Sequence, residues 1–413
     1  MRRTLSAALL VALVAATPAA ASTAGVTPVT QTRAFVDDGS ATPANADADD
    51  PAVWVHPDRR RSVVLGTLKE GGLAAFDLDG RALGTYPAPA APAPGAKPGR
   101  FNNVDVLGGA RVGDRRRNLA FVSDRGRDRV RVYELDGRGS AAGAAVLRDV
   151  TDPAARPVFS ASEAEVDGQH TAYGLAAGTV DGAPVVVVNR RSETRVALLR
   201  VVPGPAGSVG TRVVSTVDLP SSFPLPDGTT WTPCEDPGDG PQLEGMVLAG
   251  DVLYAAQEDV GIWRIPLRGT GFGRPKLIDK VRSFGVPATY DPATEECAVS
   301  GADPGFGGKH LEADAEGLTV GDGYLVASSQ GDSRFVVYRD DRYAAEFTVR
   351  AGRGNDSVEH SDGGQLITAN LGPRYPKGLL VLHDGERRPA AGDLPTTGFA
   401  YVSWADVLKE IKR

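Results

Sequence analysis

The stretch Gly71-Gly-Leu-Ala-Ala-Phe-Asp-Leu-Asp-Gly80 decides the fold class, because weaker versions of it recur along the chain. One is Arg129-Val-Arg-Val-Tyr-Glu-Leu-Asp-Gly137, and a shorter one is Gly261-Ile-Trp-Arg-Ile265. Runs rich in β-branched and aromatic residues, bounded by glycine-containing or acidic turns, are typical of β-strands. Weak repeats of one strand-and-turn unit indicate radial repetition, as in a β-propeller.

Short apolar runs separated by Gly, Asp and Pro continue from Asp47 onward, and only 404–411 has a helical pattern. So many short strands exceed the content of one β-sandwich. The sequence therefore predicts an all-β fold, a six-bladed β-propeller with a central channel. Six blades of about 60 residues account for the length, although seven also satisfy the arithmetic.

The N-terminus has the pattern of a secretory signal peptide over 1–21. Arg2 and Arg3 precede an apolar run from Leu5 to Ala16, and small residues at Ala19 and Ala21 fit cleavage before Ser22. We expect export and secretion after cleavage near Ala21. The run is too short to span a bilayer, and no later stretch is long and apolar enough. Residues 22–45 are predicted to form a linker, and 46–413 the propeller.

Charge and cysteine content exclude several classes of protein. Lys and Arg number 45 against 52 Asp and Glu, a net charge of −7, which argues against nucleic acid as the main partner. We expect a monomer that acts on a small molecule, with no membrane partner. Two cysteines exclude a Cys-rich zinc site. Cys234 and Cys297 either pair or remain free thiols, and an oxidising compartment favours pairing. Each lies in a longer segment, 221–240 or 283–309, that we interpret as a loop insertion.

Clusters of carboxylate and amide side chains occur at the ends of the predicted strands. The densest is Asp47-Ala-Asp-Asp50, and the others are Asn102-Asn-Val-Asp105, Gln242-Leu-Glu244, Gln257-Glu-Asp259, Asp314-Ala-Glu316 and His360-Ser-Asp362. One such cluster is more often an ordinary turn than a metal site. Strand ends on one face of a propeller converge on its channel, however, and closely spaced carboxylates repel unless a hard cation neutralises them. The pattern predicts calcium or another hard metal.

Cationic side chains lie near the same strand ends, at Lys69, Arg100, Arg125, Arg190 and Arg191. Arginine binds phosphate or carboxylate with two parallel hydrogen bonds, whereas the commoner use of surface Lys and Arg is to increase solubility. The sequence has no G-x-S-x-G elbow, no P-loop and no H-E-x-x-H spacing. A polyanionic substrate bound through metal and side-chain cations fits this combination.

The chain resembles the β-propeller phytases, the calcium-dependent alkaline class of exported bacterial phytase. The motifs that carry the resemblance are Asp47-Ala-Asp-Asp-Pro-Ala-Val-Trp54, Asn102-Asn-Val-Asp105, Glu244-Gly-Met246, Asp314-Ala-Glu-Gly-Leu-Thr319 and Ala327-Ser-Ser-Gln-Gly331. The resemblance implies a six-bladed propeller, several calcium ions and hydrolysis of myo-inositol hexakisphosphate bound as its calcium complex. The enzyme class implied is a phosphoric monoester hydrolase, a 3-phytase.

The resemblance also implies roles for individual residues. The phosphate-binding group comprises Lys69, Arg125, Tyr173 and one of Arg190 or Arg191. Residues that resemble the family's calcium-site acids are Asp49, Asp50, Glu244, Glu258, Asp314, Glu316 and Asp362, to which the residue pattern adds Asn103 and Asp105. Glu244, Asp314 and Glu316 would bridge the ions that hold the attacking water, so Glu244 and Glu316 count also as catalytic. The chain departs from the family at Glu70, Gln257 and Arg374, which bears on metal count and substrate range.

Two other functions remain as hypotheses. A calcium-dependent lactonase would use one channel metal with few cations around it. A non-catalytic propeller would keep calcium for structure and bind a partner on one face.

Overall fold

The computed structural model describes residues 24–40, 42, 44–388 and 394–412. These residues form a six-bladed β-propeller, so the predicted fold class is confirmed. The predicted signal peptide, 1–21, lies outside the described residues. Within the described ranges, we find no helix with the length and apolar character needed to cross a membrane.

Strands occur in chain order as three short N-terminal strands followed by the blades and two inserted hairpins. The N-terminal strands are β1 (Ala24–Val26), β2 (Thr30–Gln31) and β3 (Phe35–Val36). Blade 1 contains β4 (Pro51–Trp54), β5 (Val63–Thr67), β6 (Leu73–Phe76) and β7 (Ala82–Tyr86). Blade 2 contains β8 (Phe101–Val112), β9 (Arg115–Asp124), β10 (Arg129–Leu135) and β11 (Leu147–Asp149). Blade 3 contains β12 (Ala172–Val180), β13 (Ala183–Arg190), β14 (Arg195–Pro203) and β15 (Val209–Asp218).

The second half of the chain completes the ring. A hairpin of β16 (Phe223–Pro224) and β17 (Thr230–Trp231) precedes blade 4. Blade 4 contains β18 (Leu243–Ala249), β19 (Val252–Gln257), β20 (Gly261–Arg268), β21 (Gly271–Phe272) and β22 (Lys276–Lys280). A second hairpin, β23 (Ala288–Asp291) and β24 (Glu296–Val299), leads to blade 5, which contains β25 (Ala315–Gly321), β26 (Tyr324–Ser329), β27 (Arg334–Arg339) and β28 (Arg342–Val349). Blade 6 contains β29 (Gly364–Ile367), β30 (Leu379–Asp384) and β31 (Thr396–Ser403).

Helices are few in the described ranges. The α-helices are α1 (Glu163–Asp167) and α2 (Trp404–Glu410), and the second falls where the sequence predicted a helix. Short 3-10 helices occupy Arg59–Arg61, Gly139–Ala145, Pro205–Gly207 and Gln330–Asp332.

The core lies between the blades, which explains why central strands read as continuous apolar runs. In β13, Val185 and Val187 pack in the cluster shared with blade 4, whereas Val186 and Val188 pack in the cluster shared with blade 2. All four valines are fully buried. A strand whose two faces are both covered needs apolar residues at successive positions rather than at alternate ones. Burial of both faces therefore holds adjacent blades together.

Blade 6 is completed by the N-terminal strands, which corrects the linker predicted over 22–45. Thr30–Gln31 pairs with Tyr401 and Ala400 of β31, and Phe35–Val36 pairs with Thr397 and Thr396 of the same strand. Ala24–Val26 adds parallel to the outer strand β28 of blade 5. These segments have no usable period because each strand is only two or three residues long. Within the described residues, the ring is thus closed by pairing of β2 and β3 with β31.

The two predicted insertions are clipped together. Cys234 and Cys297 form a disulfide with an S–S distance of 2.07 Å across a sequence separation of 63. Next to it, the Trp231 and Phe284 rings pack with centroids 4.6 Å apart. The sequence left open whether Cys234 and Cys297 pair or remain free thiols, and the structure shows that they pair.

Candidate active site

One face of the propeller collects the predicted site residues because of strand direction. In an antiparallel blade the first strand begins where the second strand ends. Asp49, Asp314 and Asp362 lie just before the inner strands β4, β25 and β29, whereas Lys69, Arg125 and Glu258 lie just after the second strands β5, β9 and β19. The inner strands of neighbouring blades lie side by side around the channel, and β29 lies next to β4. These side chains therefore converge at one end of the channel.

A β-bulge at the start of the inner strand recurs in blades 2 to 5. The pairing register skips between Phe101 and Val104, Ala172 and Leu175, Leu243 and Met246, and Ala315 and Leu318. The first residues of the four bulges are Asn102, Tyr173, Glu244 and Glu316. A bulge turns a side chain out of the regular alternation of a strand. It thereby sets each of these four polar side chains at the channel mouth.

Glycine follows the polar residue in three of these bulges, where the next blade comes very close. A Cβ on Gly174 would lie 2.0 Å from the Glu244 carbonyl oxygen, and one on Gly245 would lie 2.2 Å from that of Glu316. A Cβ on Gly317 would lie 2.7 Å from the Asp362 carbonyl oxygen. Each distance is shorter than any real Cβ contact, so only glycine fits. The glycines of Tyr173-Gly174, Glu244-Gly245 and Glu316-Gly317 thus allow adjacent inner strands to lie in contact.

Three glutamates from blades 4 and 5 form the centre of the site. Carboxylate oxygens of Glu244, Glu258 and Glu316 lie within 4.8 Å of one another. Glu258 Oε1, Glu316 Oε2 and Asp49 Oδ2 are buried and accept no hydrogen bond from the described residues. A buried carboxylate oxygen without a donor is costly unless a cation satisfies it. This donor set, made only of hard oxygen atoms, fits calcium.

The carboxyls of this cluster all have raised pKa values. Burial, followed by the charge of Asp362, raises the pKa of Glu244 to about 7. Burial and then the charge of Glu244 raise the pKa of Glu258 and that of Glu316 well above the usual range. Burial likewise raises the pKa of Asp49. The site therefore holds several carboxyls that cannot all ionise at neutral pH without a bound cation.

Polar contacts connect blades 2 to 4 around the glutamates, and an ion pair lies beside them in blade 1. Asn102 donates from Nδ2 to Glu244 Oε1 at 2.6 Å, and Arg125 donates from Nη1 to Asn102 Oδ1 at 3.1 Å. The Arg125 guanidinium lies over the Tyr173 ring, 5.3 Å from its centroid. Lys69 Nζ pairs with Asp47 Oδ2 at 2.5 Å. The predicted Lys69, Arg125 and Tyr173 thus lie on the rim next to the carboxylates.

Asp50, Asn103 and Asp105 are separate from this cluster and line the channel itself. They border a cavity of ≈ 30 Å³, room for one water molecule or ion. Asp50 Oδ2 accepts from the Val104 N–H at 3.0 Å, and Asp105 Oδ2 accepts from the Ala177 N–H at 2.8 Å. Burial raises the pKa of Asp105 to about 6. The predicted metal residues therefore divide into a cluster at the channel mouth and one inside the channel.

The two adjacent arginines differ in their contacts. Arg190 donates from Nε to the His170 carbonyl at 2.8 Å and pairs through Nη1 with Glu193 at 2.9 Å. Arg191 lines a cavity of ≈ 280 Å³ that also contains Asp259 and Glu235, and its Nε is buried with no partner among the described residues. Arg190 is thus engaged by its own blade, whereas Arg191 faces open space beside the site.

The three departures from the family pattern have structural explanations. Gln257 is fully buried, donating to the Pro241 carbonyl at 2.8 Å and accepting from Trp263 Nε1 at 2.9 Å. Glu70 pairs with Arg100 at 2.7 Å. Arg374 pairs with Asp79 in a loop that follows an inner strand, so it lies at the opposite end of the channel from the site. Gln257 and Arg374 therefore do not contact the carboxylate cluster.

Several polar residues around the site were not predicted by the sequence. Gln242 donates to Glu258 Oε2 at 2.9 Å, and Gln330 donates to Asp362 Oδ1 at 2.5 Å. His383 Nδ1 accepts from the Asp362 N–H at 3.0 Å. Asn102 and Asp47 belong with them through the contacts described above. The sequence could have indicated four of these five residues, because Asp47, Asn102, Gln242 and Gln330 lie within motifs quoted above. His383 lies in no such motif.

A model of the phytase family matches residues 2–184 and 299–412, which is more than half of the chain. The chain belongs to the phytase family. A curated phytase relative, the 3-phytase of Bacillus subtilis (strain 168), is 28% identical over 377 residues, covering 88% of this chain and 81% of the relative. The family and the enzyme class expected from the sequence, a phosphoric monoester hydrolase, are thereby confirmed.

Two solved structures also align with this phytase-family chain. The calcium-binding protein regucalcin from Agrobacterium tumefaciens strain C58 aligns over 92% of this chain and 97% of its own, with 14% identity and a TM-score of 0.42. The β-propeller domain of Cps50 (Swd1) from Myceliophteria thermophila aligns over 85% of this chain and 81% of its own, with 10% identity and a TM-score of 0.39.

Proposed function

We propose that the chain is an exported, calcium-dependent phytase that removes phosphate from myo-inositol hexakisphosphate, bound as its calcium complex. One observation carries the proposal. Buried carboxylate oxygens without donors, on Glu258, Glu316 and Asp49, lie at the same end of the channel as Lys69 and Arg125. A polyanion needs both neutralising metal and side-chain cations before it can approach an acidic protein.

Calcium fits the residues present. Glu244, Glu258 and Glu316 would hold it at the channel mouth, assisted by the flanking Asp49, Asp314 and Asp362. A second set, Asp50, Asn103 and Asp105, would hold an ion inside the channel. Bound calcium supplies neutralisation of phosphate charge and a lowered pKa for water, although less lowering than zinc gives.

The chain's own side chains would bind and orient the reacting phosphate. Lys69 and Arg125 bind phosphoryl oxygens by charge-assisted hydrogen bonds, and Tyr173 donates one more. Arg191, rather than Arg190, completes this set because its guanidinium is free of the Glu193 pair. Glu316 Oε2 has no donor and can accept a hydrogen bond from the attacking water. Water then displaces the inositol oxygen in line, without a covalent enzyme intermediate: the P–O bond to water forms as the P–O bond to inositol breaks, the water gives up one proton, and the leaving oxygen takes up one proton from solvent.

Export is supported by two features. The N-terminal sequence has the pattern of a signal peptide, and the Cys234–Cys297 disulfide is typical of oxidising compartments. A monomeric state and the absence of nucleic-acid or membrane partners stay predictions.

Phosphate release from phytate tests the function, with calcium present and with EGTA. We expect release that requires calcium and exceeds release from simple monoesters. Arg191→Ala should lower kcat/KM about 100-fold, as for removal of one transition-state donor. The matched control is Arg190→Ala, whose side chain contacts only its own blade, and we expect a loss below about fivefold.

Two results would contradict the proposal. A folded protein that releases no phosphate in either condition is a binding propeller. Equal losses in both arginine variants would exclude Arg191 as the phosphate-binding member of the pair.

A further inference from the structure

The amide side chain of Gln242 is fixed at both of its ends. Its Oε1 accepts a hydrogen bond from the Ser192 N–H at 2.9 Å, and its Nε2 donates to Glu258 Oε2 at 2.9 Å. The backbone adds a third contact, because the Glu258 N–H donates to the Gln242 carbonyl at 3.2 Å. A backbone N–H can only donate, so the amide oxygen must face Ser192 and the amide nitrogen must face Glu258. Gln242 therefore presents a donor to this glutamate in one orientation only.

This donor decides which oxygen of Glu258 is left for a cation. Oε2 accepts the hydrogen bond from Gln242, whereas Oε1 is buried and accepts none from the described residues. Carboxylate oxygens of Glu258, Glu244 and Glu316 lie within 4.8 Å of one another. Hydrogen-bond partners behind a metal ligand orient it toward the ion. Glu258 is thus held so that one oxygen is taken by Gln242 and the other is free for a metal.

Ser192, on the other side of Gln242, is held by the end of the disulfide-linked insertion 221–240. Ser192 Oγ donates to Asp239 Oδ2 at 2.8 Å, and the Gly240 N–H donates to the Ser192 carbonyl at 2.9 Å. Ser192 is buried and has a φ of 57°, in the left-handed region. A residue other than glycine keeps that conformation only when its surroundings hold it there. The two contacts from the insertion therefore fix the direction of the Ser192 N–H.

The disulfide borders the same cavity as these contacts. The residues that line this cavity of ≈ 280 Å³ include Cys234, Cys297, Ser192, Asp239 and Gln242. The disulfide joins the insertion 221–240 to the second insertion, 283–309, across a sequence separation of 63. A cross-link of this kind restricts the conformations open to the segments it joins. Contacts thus run in order from the disulfide-linked insertion through Asp239, Ser192 and Gln242 to Glu258.

We propose that Gln242 is a positioning residue for the metal-binding carboxylate of Glu258, and that the disulfide-linked insertion acts on the site by holding Gln242 through Asp239 and Ser192. This inference rests on the proposed function, because it concerns the calcium ion that Glu258 would bind. It gives the insertion a role in the calcium affinity of the channel mouth, in addition to its part in the fold.

Calorimetric titration of the calcium-free protein with calcium tests the proposal. The binding step that Glu258→Gln weakens is that of the ion at the channel mouth. Gln242→Met keeps the length of the side chain but not its donor, and it should weaken this step about tenfold and the other steps less than about twofold. In the Glu258→Gln background, Gln242→Met should change the same step less than about twofold, because Gln242 acts through Glu258.

A second variant tests the contact from the insertion. Asp239→Ala should weaken the channel-mouth step about threefold in the wild-type background and less than about 1.5-fold in the Gln242→Met background. The lost charge alone would act equally in both backgrounds. The Asp239 side chain is 30% exposed, so its removal leaves the core intact. Asp227→Ala is the matched control: Asp227 accepts hydrogen bonds from Thr229 in the same insertion, and its loss should leave this step unchanged.

A control for the methionine substitution separates loss of positioning from loss of folding. Gln169 Nε2 donates to the Val166 carbonyl at 2.8 Å, so Gln169→Met removes an amide hydrogen bond to the backbone next to α1. Gln169→Met should leave every calcium-binding step within about twofold of wild type. Circular dichroism in EGTA verifies that each variant is folded before calcium is added.

The outcomes separate this inference from the proposed function. A channel-mouth step about tenfold weaker in Gln242→Met supports positioning by Gln242 even if the wild type releases no phosphate from phytate, a result that would overturn only the phytase function. An unchanged step in folded Gln242→Met overturns the inference, even when phosphate release is normal. An equal loss in the Glu258→Gln background also overturns it, because Gln242 would then act independently of Glu258. A wild type that binds no calcium overturns both proposals.

Discussion

Replacing Glu316 by Gln should stabilise the calcium-free protein while removing activity. Its carboxylate lies within 4.8 Å of those of Glu244 and Glu258. At this distance two like charges repel by about 3.5 kcal/mol at an effective dielectric constant of 20. The carboxyl can escape the repulsion by taking up a proton. From an ordinary pKa of 4.5, this costs at most about 5 kcal/mol at pH 8.

The sign of the pH dependence follows from the raised pKa of Glu316. Burial and the neighbouring carboxylates make the folded state retain a proton that the unfolded state loses above its ordinary pKa. Stability of the calcium-free wild type therefore falls as pH rises above about 4.5. Glu316→Gln removes this loss, so we expect it to be more stable than wild type by at least about 2 kcal/mol at pH 8 and by less than about 0.5 kcal/mol at pH 5.

Urea unfolding followed by circular dichroism, in EGTA, measures this difference. With calcium the order should reverse, because wild type gains binding energy that the variant lacks. Phosphate release should fall about 100-fold or more. Glu312→Gln is the matched control, since Glu312 is part-exposed and pairs with Arg282 at 2.8 Å; it should destabilise by no more than about 1 kcal/mol. A calcium-free Glu316→Gln that is no more stable than wild type at pH 8 would refute the repulsion argument.

Three further predictions concern the scaffold. Cys234→Ser/Cys297→Ser should lower the free energy of unfolding by up to about 4 kcal/mol, from the loop closed across 63 residues, and an unchanged urea midpoint would contradict this. Gly245→Ala should lower the free energy of unfolding by at least about 2 kcal/mol, because its Cβ would lie 2.2 Å from a carbonyl oxygen. Gly137→Ala is the control: its Cβ would have nothing within 4 Å, so the free energy of unfolding should change by no more than about 0.5 kcal/mol in the same urea measurement. Burial raises the pKa of Asp384 to about 7, so the folded wild type keeps a proton that the unfolded chain loses. The free energy of unfolding of the wild type should therefore fall by about 1.4 kcal/mol per pH unit between pH 4 and 7, whereas that of Asp384→Asn should not. Parallel pH profiles of the two proteins would exclude this role of Asp384.

The sequence predicted the blades because strand and turn signals are local. Val185 to Val188, for example, can only be a strand buried on both faces or a short buried helix, and the flanking turns decide for the strand. Closure of the ring could not be predicted in this way. Thr30–Gln31 is too short for a period, and its partners in β31 lie about 370 positions later.

The sequence predicted which residue types form the site, but it could not predict which of these side chains contact one another. Glu244 and Glu316 could be placed at the channel from Glu-Gly motifs, although the bulges that expose them depend on pairing between strands. Arg190 and Arg191 are equivalent in sequence, and only Glu193 and His170 distinguish them. Gln257 does not contact the carboxylate cluster, and its amide oxygen accepts a hydrogen bond from the buried indole N–H of Trp263.

The way blade 6 is completed also determines when the site can exist during synthesis. Strands β2 and β3 are made first, but their partner β31 ends at Ser403, close to the C-terminus. Until nearly the whole chain is available, the ring is an open arc, and β29 cannot lie beside β4. Asp362 and Asp49, contributed by these two blades, then remain apart. Contacts between such distant positions make folding slow, so an incompletely synthesised chain can bring together the three glutamates of blades 4 and 5 but not the side chains contributed by blades 1 and 6.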